Sequence, residues 1–515
     1  MDRRFAALAL LGLAACGDNA LATGEPLALT AELVVVAHQD DDLLFMQPDV
    51  LEAVRRGNGV TSVYVTAGNG RKGLDAAENR YDGLMQAYAA AANATAWRCG
   101  TIELLGHIAE HCRLPERNVS LVFLGYPDGG KEGELESSLL RLWQGETTNV
   151  TTIAHETATY DRDGLVDVLA QIVRLTQPAH VRTLEVASTH GRDHSDHMLV
   201  GALTVLALAR ANSHPDLISY RGYDTALEAP NKVPAIFQAV FEVLARYEAC
   251  ASNCGTCGET CTAIDQVHVT WLSRRYAIGF RRFASGRLRN GTSCLGADGS
   301  LVACETAPAW TLDAAGELRI GDTCLVADST GAIGTGLCLG GSERRFFLDD
   351  EGHLWSGLPP APASDMDYAH LNCVVPANDR VALQLCGADR APAWEFAPPT
   401  VSTSRALLDI TATGRDVRLG DISGDGLADL CAIEPSGGLW CAAGDGTGAF
   451  TAALQIDAPS APLAIDPTSL TIGDVDGDRR ADVCGRDETG VLCALAATNF
   501  AAERWSPAFN DLLAR

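Results

Sequence analysis

The chain has 515 residues, with 39 Lys plus Arg against 66 Asp plus Glu and a formal net charge of −27. A nucleic-acid partner needs a basic footprint, so this balance argues against that class. At about 100 to 200 residues per domain the length points to about three domains, and an apolar share of 47 % does not suit a disordered chain.

The first element reads as an export signal. Arg3 and Arg4 precede the apolar run 5–13, too short for a permanent span, and Leu13-Ala14-Ala15-Cys16 follows. That end resembles a bacterial lipobox, which implies cleavage before Cys16, acylation of its thiol, and an exported protein lipid-anchored in the cell envelope. A plain secretory signal with a chance cysteine is the alternative. No later stretch is long and apolar enough to span a membrane. Of 17 cysteines, setting Cys16 aside leaves an even number, as an oxidising compartment favours. Their order predicts local disulfides: Cys99 with Cys112, Cys294 with Cys304, Cys324 with Cys338, Cys373 with Cys386, Cys431 with Cys441, Cys484 with Cys493. For Cys250, Cys254, Cys257 and Cys261, two disulfides of open connectivity are expected in preference to a zinc site.

Over residues 30–280, strand-like runs at 33–37, 61–66, 120–124 and 181–187 alternate with helical stretches. This is the pattern of an α/β domain with a Rossmann-like, mostly parallel sheet and flanking helices. Each run is followed by a polar turn, at 38–42, 68–73, 126–130 and 190–197. Ligands in open α/β sheets bind beyond the carboxyl ends of the strands, so these turns should line one crevice. A catalytic zinc commonly takes three protein ligands and leaves one position for water. His38 and Asp41 supply two from one turn and His197 a third from across the crevice, leaving Asp40 free as a base. His194 would stabilise an oxyanion and protonate a leaving amine, oriented by Asp196 or, failing that, Asp193. Iron(II) or cobalt would also suit such a ligand set. A lone acidic turn or His-rich loop is usually just solvated; here the two follow separate strands, which favours a metal site.

Ala37-His38-Gln39-Asp40-Asp41-Asp42 resembles the Ala-His-Pro-Asp-Asp-Glu motif of the PIG-L/LmbE-like zinc-dependent N-deacetylases, and His194-Ser195-Asp196-His197 resembles their His-Pro-Asp-His element. The resemblance implies His38, Asp41 and His197 as zinc ligands, Asp40 as general base and His194 as electrostatic or acid catalyst. It also implies Arg80 as a substrate-binding residue and Asp128, in Leu124-Gly125-Tyr126-Pro127-Asp128-Gly129, as acceptor for a sugar hydroxyl. The implied reaction removes acetyl from an N-acetylated amino sugar or glycoconjugate. Three departures stand out: Gln39 replaces Pro and frees a φ angle, Asp42 replaces Glu, and the family's Arg-x-x-Glu is Arg80-Tyr81-Asp82-Gly83, which leaves the partner of Arg80 open. His107, His111 and His155 read as structural or surface residues.

After residue 280 short alternating stretches signal all-β structure. Within 281–398, Ala309-Trp310-Thr311-Leu312-Asp313 echoes Arg345-Phe346-Phe347-Leu348-Asp349, and the aromatic returns at Ala393-Trp394-Glu395-Phe396. Three units, each preceded by a cysteine pair, resemble the ricin-type β-trefoil lectins. The Gln of their Gln-x-Trp element is missing, with Pro308 and Pro392 near those places, so the fold carries over better than sugar binding. Trp310 and Trp394 are expected as core plugs. Beyond a Pro398-Pro399-Thr400 linker, residues 401–515 carry Asp421, Ser423, Asp425 and Asp429, matched in spacing by Asp474, Asp476, Asp478 and Asp482. Alternating oxygens suit calcium, but Ala432 and Gly485 stand where an EF-hand places Glu. The pattern resembles FG-GAP or VCBS repeats; with two recognisable, against at least about four blades in a propeller, it implies a partial propeller.

Two other functions compete with the deacetylase: a non-catalytic, lipid-anchored carbohydrate-binding protein or adhesin, and a hydrolase of a different amide. An intact Asp40 favours chemistry over binding alone.

Overall fold

The computed structural model describes residues 24–252, 254–363, 371–386, 393–397, 415–422, 427–433, 439–444, 454–455, 469, 471–475, 480–487, 490–495 and 501–506. The signal with Cys16, the 398–400 linker, and Ser423, Asp425, Asp476 and Asp478 lie outside them. The chain divides into two compact units.

The first unit is an α/β sheet. Its strands are β1 (Glu32–Val36), β2 (Val60–Thr66), β3 (Arg98–Leu104), β4 (His107–Leu114), β5 (Val119–Tyr126), a short β6 (Val150–Thr151) and β7 (Thr159–Tyr160) pair, β8 (His180–Leu184), β9 (Asp216–Tyr220) and β10 (Ala277–Gly279). Helices are α1 (Asp41–Leu44), α2 (Asp49–Arg56), α3 (Leu74–Ala92), α4 (Leu139–Gln144), α5 (Arg162–Thr176), α6 (Ser195–Arg210), α7 (Pro234–Ala251) and α8 (Gln266–Leu272). The sheet order is β10-β9-β8-β1-β2-β5-β4-β3. Strands β8, β1, β2 and β5 run parallel, while β4 and β3 finish one edge antiparallel. Every residue of β1, β2 and β5 is buried, as a parallel sheet covered on both faces requires. The chain leaves β1 for β2 on one side and later fills β8 on the other, so the carboxyl end of β1 is a topological switch point.

One expectation needs correction. The run 181–187 is strand only to Leu184; Val186–Ser188 is a 3-10 turn in which Ala187 and Ser188 take φ of 59° and 44°. Val186 and Ala187 are buried like strand residues, and the rare positive φ turns the chain into the His-rich loop. The antiparallel edge of β3 and β4, joined by Cys99–Cys112, had no place in the sequence reading.

The second unit begins with twelve strands: β11 (Ala284–Asn290), β12 (Ser293–Leu295), β13 (Leu301–Ala303), β14 (Trp310–Leu312), β15 (Leu318–Ile320), β16 (Thr323–Ala327), β17 (Ile333–Leu337), β18 (Phe346–Leu348), β19 (Leu354–Ser356), β20 (Leu371–Ala377), β21 (Arg380–Cys386) and β22 (Trp394–Ala397). β11 pairs β14, β14 pairs β15, a Glu317–Arg345 bridge leads to β18, β18 pairs β19, the Trp394 N–H bonds Gly352 O, and β22 returns to β11. Hairpins β12–β13, β16–β17 and β20–β21 each carry a disulfide at the same place, Cys294–Cys304, Cys324–Cys338 and Cys373–Cys386. Trp310, Phe346 and Trp394 sink into one apolar cluster, and the two indoles donate to Leu295 O and Val374 O at 3.0 and 2.7 Å. They are core plugs.

Two four-stranded antiparallel sheets follow: β23 (Arg415–Gly420), β24 (Asp429–Ile433), β25 (Leu439–Ala442) and β26 (Leu454–Gln455), then β27 (Thr471–Gly473), β28 (Asp482–Asp487), β29 (Gly490–Leu495) and β30 (Ala501–Ser506). Each has its predicted disulfide, Cys431–Cys441 and Cys484–Cys493, and they share an apolar cluster. The closing acids Asp429 and Asp482 are fully buried and accept the Gly444 and Val475 N–H at 2.9 and 2.8 Å.

Candidate metal centre

The end of β1 delivers His38 into a turn that α1 closes. The His38 backbone N–H donates to Asp41 Oδ2 at 2.7 Å, which turns the other carboxylate oxygen towards the imidazole. His197 arrives on the first turn of α6, beyond β8. His38 Nδ1 lies 3.0 Å from His197 Nε2 and 3.6 Å from Asp41 Oδ1, and His197 Nε2 lies 3.0 Å from Asp41 Oδ1. All three side chains are buried. Ligand atoms about 2.0 to 2.2 Å from a tetrahedral zinc stand about 3.3 Å apart, so this triangle has the size of one face of such a coordination shell.

Each imidazole also has an acid behind it. His197 Nδ1 faces Asp193 Oδ1 at 3.0 Å, and His38 Nε2 faces Asp196 Oδ2 at 3.4 Å. Liganding histidines commonly give their second N–H to such a carboxylate, which fixes the tautomer and strengthens the ligand. Burial alone would keep both rings neutral, but Asp41 overrides it: His38 is pushed up to about 10 and His197 well above its ordinary value. Burial would raise Asp41 too, yet the two rings hold it below the usual carboxylate range. The cluster therefore favours positive charge at its centre.

Asp193 accepts the N–H groups of His194 and Tyr223 on the same oxygen, at 2.8 and 3.1 Å. It thus holds His197 rather than His194. His194 Nδ1 instead accepts the Asp196 N–H at 3.2 Å, which leaves the hydrogen on Nε2, 3.7 Å from Asp128 Oδ1. Burial, then the neighbouring His38, pushes His194 down to about 4, so it is neutral near pH 7.

Arg80, on α3, donates from Nη2 to Asp40 Oδ1 at 2.8 Å and from Nε to Gln39 Oε1 at 3.1 Å. Gln39 also donates to Thr66 O at 2.6 Å. Gln39 does more than free the φ angle that a proline would fix: its side chain ties β1 to β2 and supplies one partner of Arg80. Asp42 points away from the cluster into the core, taking the hydroxyls of Tyr64 and Tyr88, and burial pushes it up to about 7.

His38, Asp40, Arg80, Asp128 and His194 line a cavity of about 210 Å³ whose far wall is Tyr223, Tyr247, Ala251, Ser252 and His268. No sequence motif marks that wall. Tyr223 stacks on Trp271, ring centroids 4.4 Å apart, and meets His197 edge-on. His268 Nδ1 is 2.6 Å from buried Glu248. Disulfides Cys250–Cys257 and Cys254–Cys261 staple the chain after α7, settling the open connectivity. His107, His111 and His155 do not line the cavity.

Residues 33–208 match the profile of the PIG-L family, described as GlcNAc-PI de-N-acetylase, and residues 393–484 match that of an FG-GAP-like repeat. No curated protein matches the chain. Among solved structures, N,N'-diacetylchitobiose deacetylase from Pyrococcus horikoshii is 14 % identical with a TM-score of 0.27, covering 43 % of this chain and 70 % of that one. The 4-carboxy-2-hydroxymuconate hydratase GalB from Pseudomonas putida KT2440 is 15 % identical, TM-score 0.28, covering 48 % and 83 %. The β-trefoil lectin of the Vibrio vulnificus hemolysin/cytolysin, solved with N-acetyl-D-lactosamine, is 16 % identical, TM-score 0.19, covering 22 % and 94 %.

Proposed function

We propose that residues 30–280 are a zinc-dependent N-deacetylase acting on an N-acetylated amino sugar or glycoconjugate. The convergence of His38 Nδ1, Asp41 Oδ1 and His197 Nε2 at zinc-ligand spacing carries the reading, and the family match over 33–208 supports it. Zinc, when bound there, would polarise the acetamide carbonyl and acidify water. Asp40, steadied by Arg80, takes the proton from the attacking water and returns it to the leaving nitrogen. His194, neutral, donates from Nε2 to the developing oxyanion and so acts as an electrostatic stabiliser rather than an acid. Asp128, which lines the cavity, is the acceptor for a sugar hydroxyl. Acetate release from a panel of N-acetylated sugars by zinc-loaded protein tests this. Asp40→Ala should lower the rate about 10²- to 10⁴-fold. Release by neither, from folded protein, would favour a binding protein.

The remaining assignments belong to the same proposal. Residues 281–398 are read as a β-trefoil, on the threefold recurrence of hairpin, disulfide and buried aromatic. Residues 401–515 are read as FG-GAP/VCBS-like repeats that take calcium through their Asp-rich loops, a reading that rests on the repeated spacing and is tested by equilibrium calcium binding. The eight disulfides suggest an exported protein. Lipid attachment at Cys16 is checked by mass spectrometry of the membrane fraction.

A further inference from the structure

We infer that Tyr247 is a substrate-binding residue, its hydroxyl hydrogen-bonding an oxygen of the sugar beside the Asp40–Arg80 pair; this rests on the deacetylase reading above. Tyr247 lies on α7, outside the segment 33–208 that the family profile matches. Its side chain is 1 % exposed and lines the cavity, yet its hydroxyl has no hydrogen-bond partner among the described residues. A buried hydroxyl without a partner costs stability. Tyr247 lines a polar cavity, where a ligand oxygen supplies the missing partner.

The chain makes room for this tyrosine. The PIG-L resemblance leads one to expect Glu three residues after Arg80, but the chain has Gly83. A Cβ at Gly83 would stand 2.7 Å from Tyr247 O and 2.8 Å from Tyr247 Cδ2. The glycine therefore lets α7 approach α3 closely enough for the Tyr247 ring to reach the cavity wall. Arg80 does without the expected glutamate because Asp40 and Gln39 hold it. The departure from the motif and the orphaned hydroxyl have one explanation: this wall has been rebuilt around Tyr247. His268 stands on the same wall with Nδ1 committed to Glu248, so its other nitrogen is the one available to the same ligand.

The test is Tyr247→Phe in the full-length zinc-loaded protein. A purely structural tyrosine and a substrate-binding one differ in sign. Deleting an unpartnered buried hydroxyl should leave Tm unchanged or raise it. If the hydroxyl binds sugar, KM for the sugar that the parent cleaves fastest should rise about three- to tenfold, with zinc content unchanged. Tyr160→Phe removes another buried, unpartnered hydroxyl, one that does not line the cavity, and should leave KM where it is. An unchanged KM in Tyr247→Phe, or a lower Tm and lower zinc content with no change in KM, overturns the inference while leaving the deacetylase reading intact. Acetate release from no sugar by the parent overturns that reading and this inference with it.

Discussion

Asp193→Asn isolates what the acid behind His197 contributes. Three donors converge on Asp193 Oδ1: the His197 ring at 3.0 Å and the N–H groups of His194 and Tyr223 at 2.8 and 3.1 Å. Oδ2 is buried without a hydrogen-bond partner. Asparagine can therefore keep its carbonyl where Oδ1 sits and its amide where Oδ2 sits, preserving the shape while deleting the negative charge. What is lost is the charge that makes the His197 ring a stronger ligand. Removing such a partner typically costs 10- to 100-fold in metal affinity, about 1.4 to 2.8 kcal/mol. Asp196→Asn should cost less, because Asp196 Oδ2 stands 3.4 Å from His38 Nε2, a longer contact than the 3.0 Å at His197. Zinc affinity measured by competition with a chromogenic chelator decides it. Equal affinity in parent and Asp193→Asn would refute the argument that His197 is a ligand braced from behind.

As pH rises from about 6.5 towards 10 the metal-free protein should lose stability relative to the zinc-bound form, because the His38 value is raised to about 10 in the folded state: the stability it contributes is complete below its unfolded value and is lost as pH climbs through the folded one. The gap between urea midpoints with and without zinc should widen across that range. Trp394→Ala should destabilise the twelve-strand region by about 3 to 5 kcal/mol, as loss of a buried indole does, and calorimetry should show it as a lowered transition with acetate release unaffected.

The parallel strands and their turns were legible because burial on both faces makes β1, β2 and β5 rich in apolar residues, and because the candidate ligands lie on the segments that follow β1 and β8. His38, Asp41 and His197 meet as their positions at strand ends imply. The role of Asp193 was not legible: choosing between it and Asp196 depends on which way the first turn of α6 faces, a matter of ångströms rather than of spacing. Gln39 was only half legible because the missing proline is visible in a sequence while a side chain reaching Thr66 and Arg80 is not. Tyr223, Tyr247 and His268 carry no motif. They come from segments whose local pattern says only helix or turn, and packing against α3 is what brings Tyr247 to the cavity.

Pairing of β22 with β11 sets Trp394–Ala397 beside Arg287–Asn290, so the polypeptide leaves this region about one strand spacing, roughly 4.8 Å, from where it enters. A segment whose entrance and exit are adjacent can be cut out, transplanted or reopened at a hairpin without a linker to span any gap.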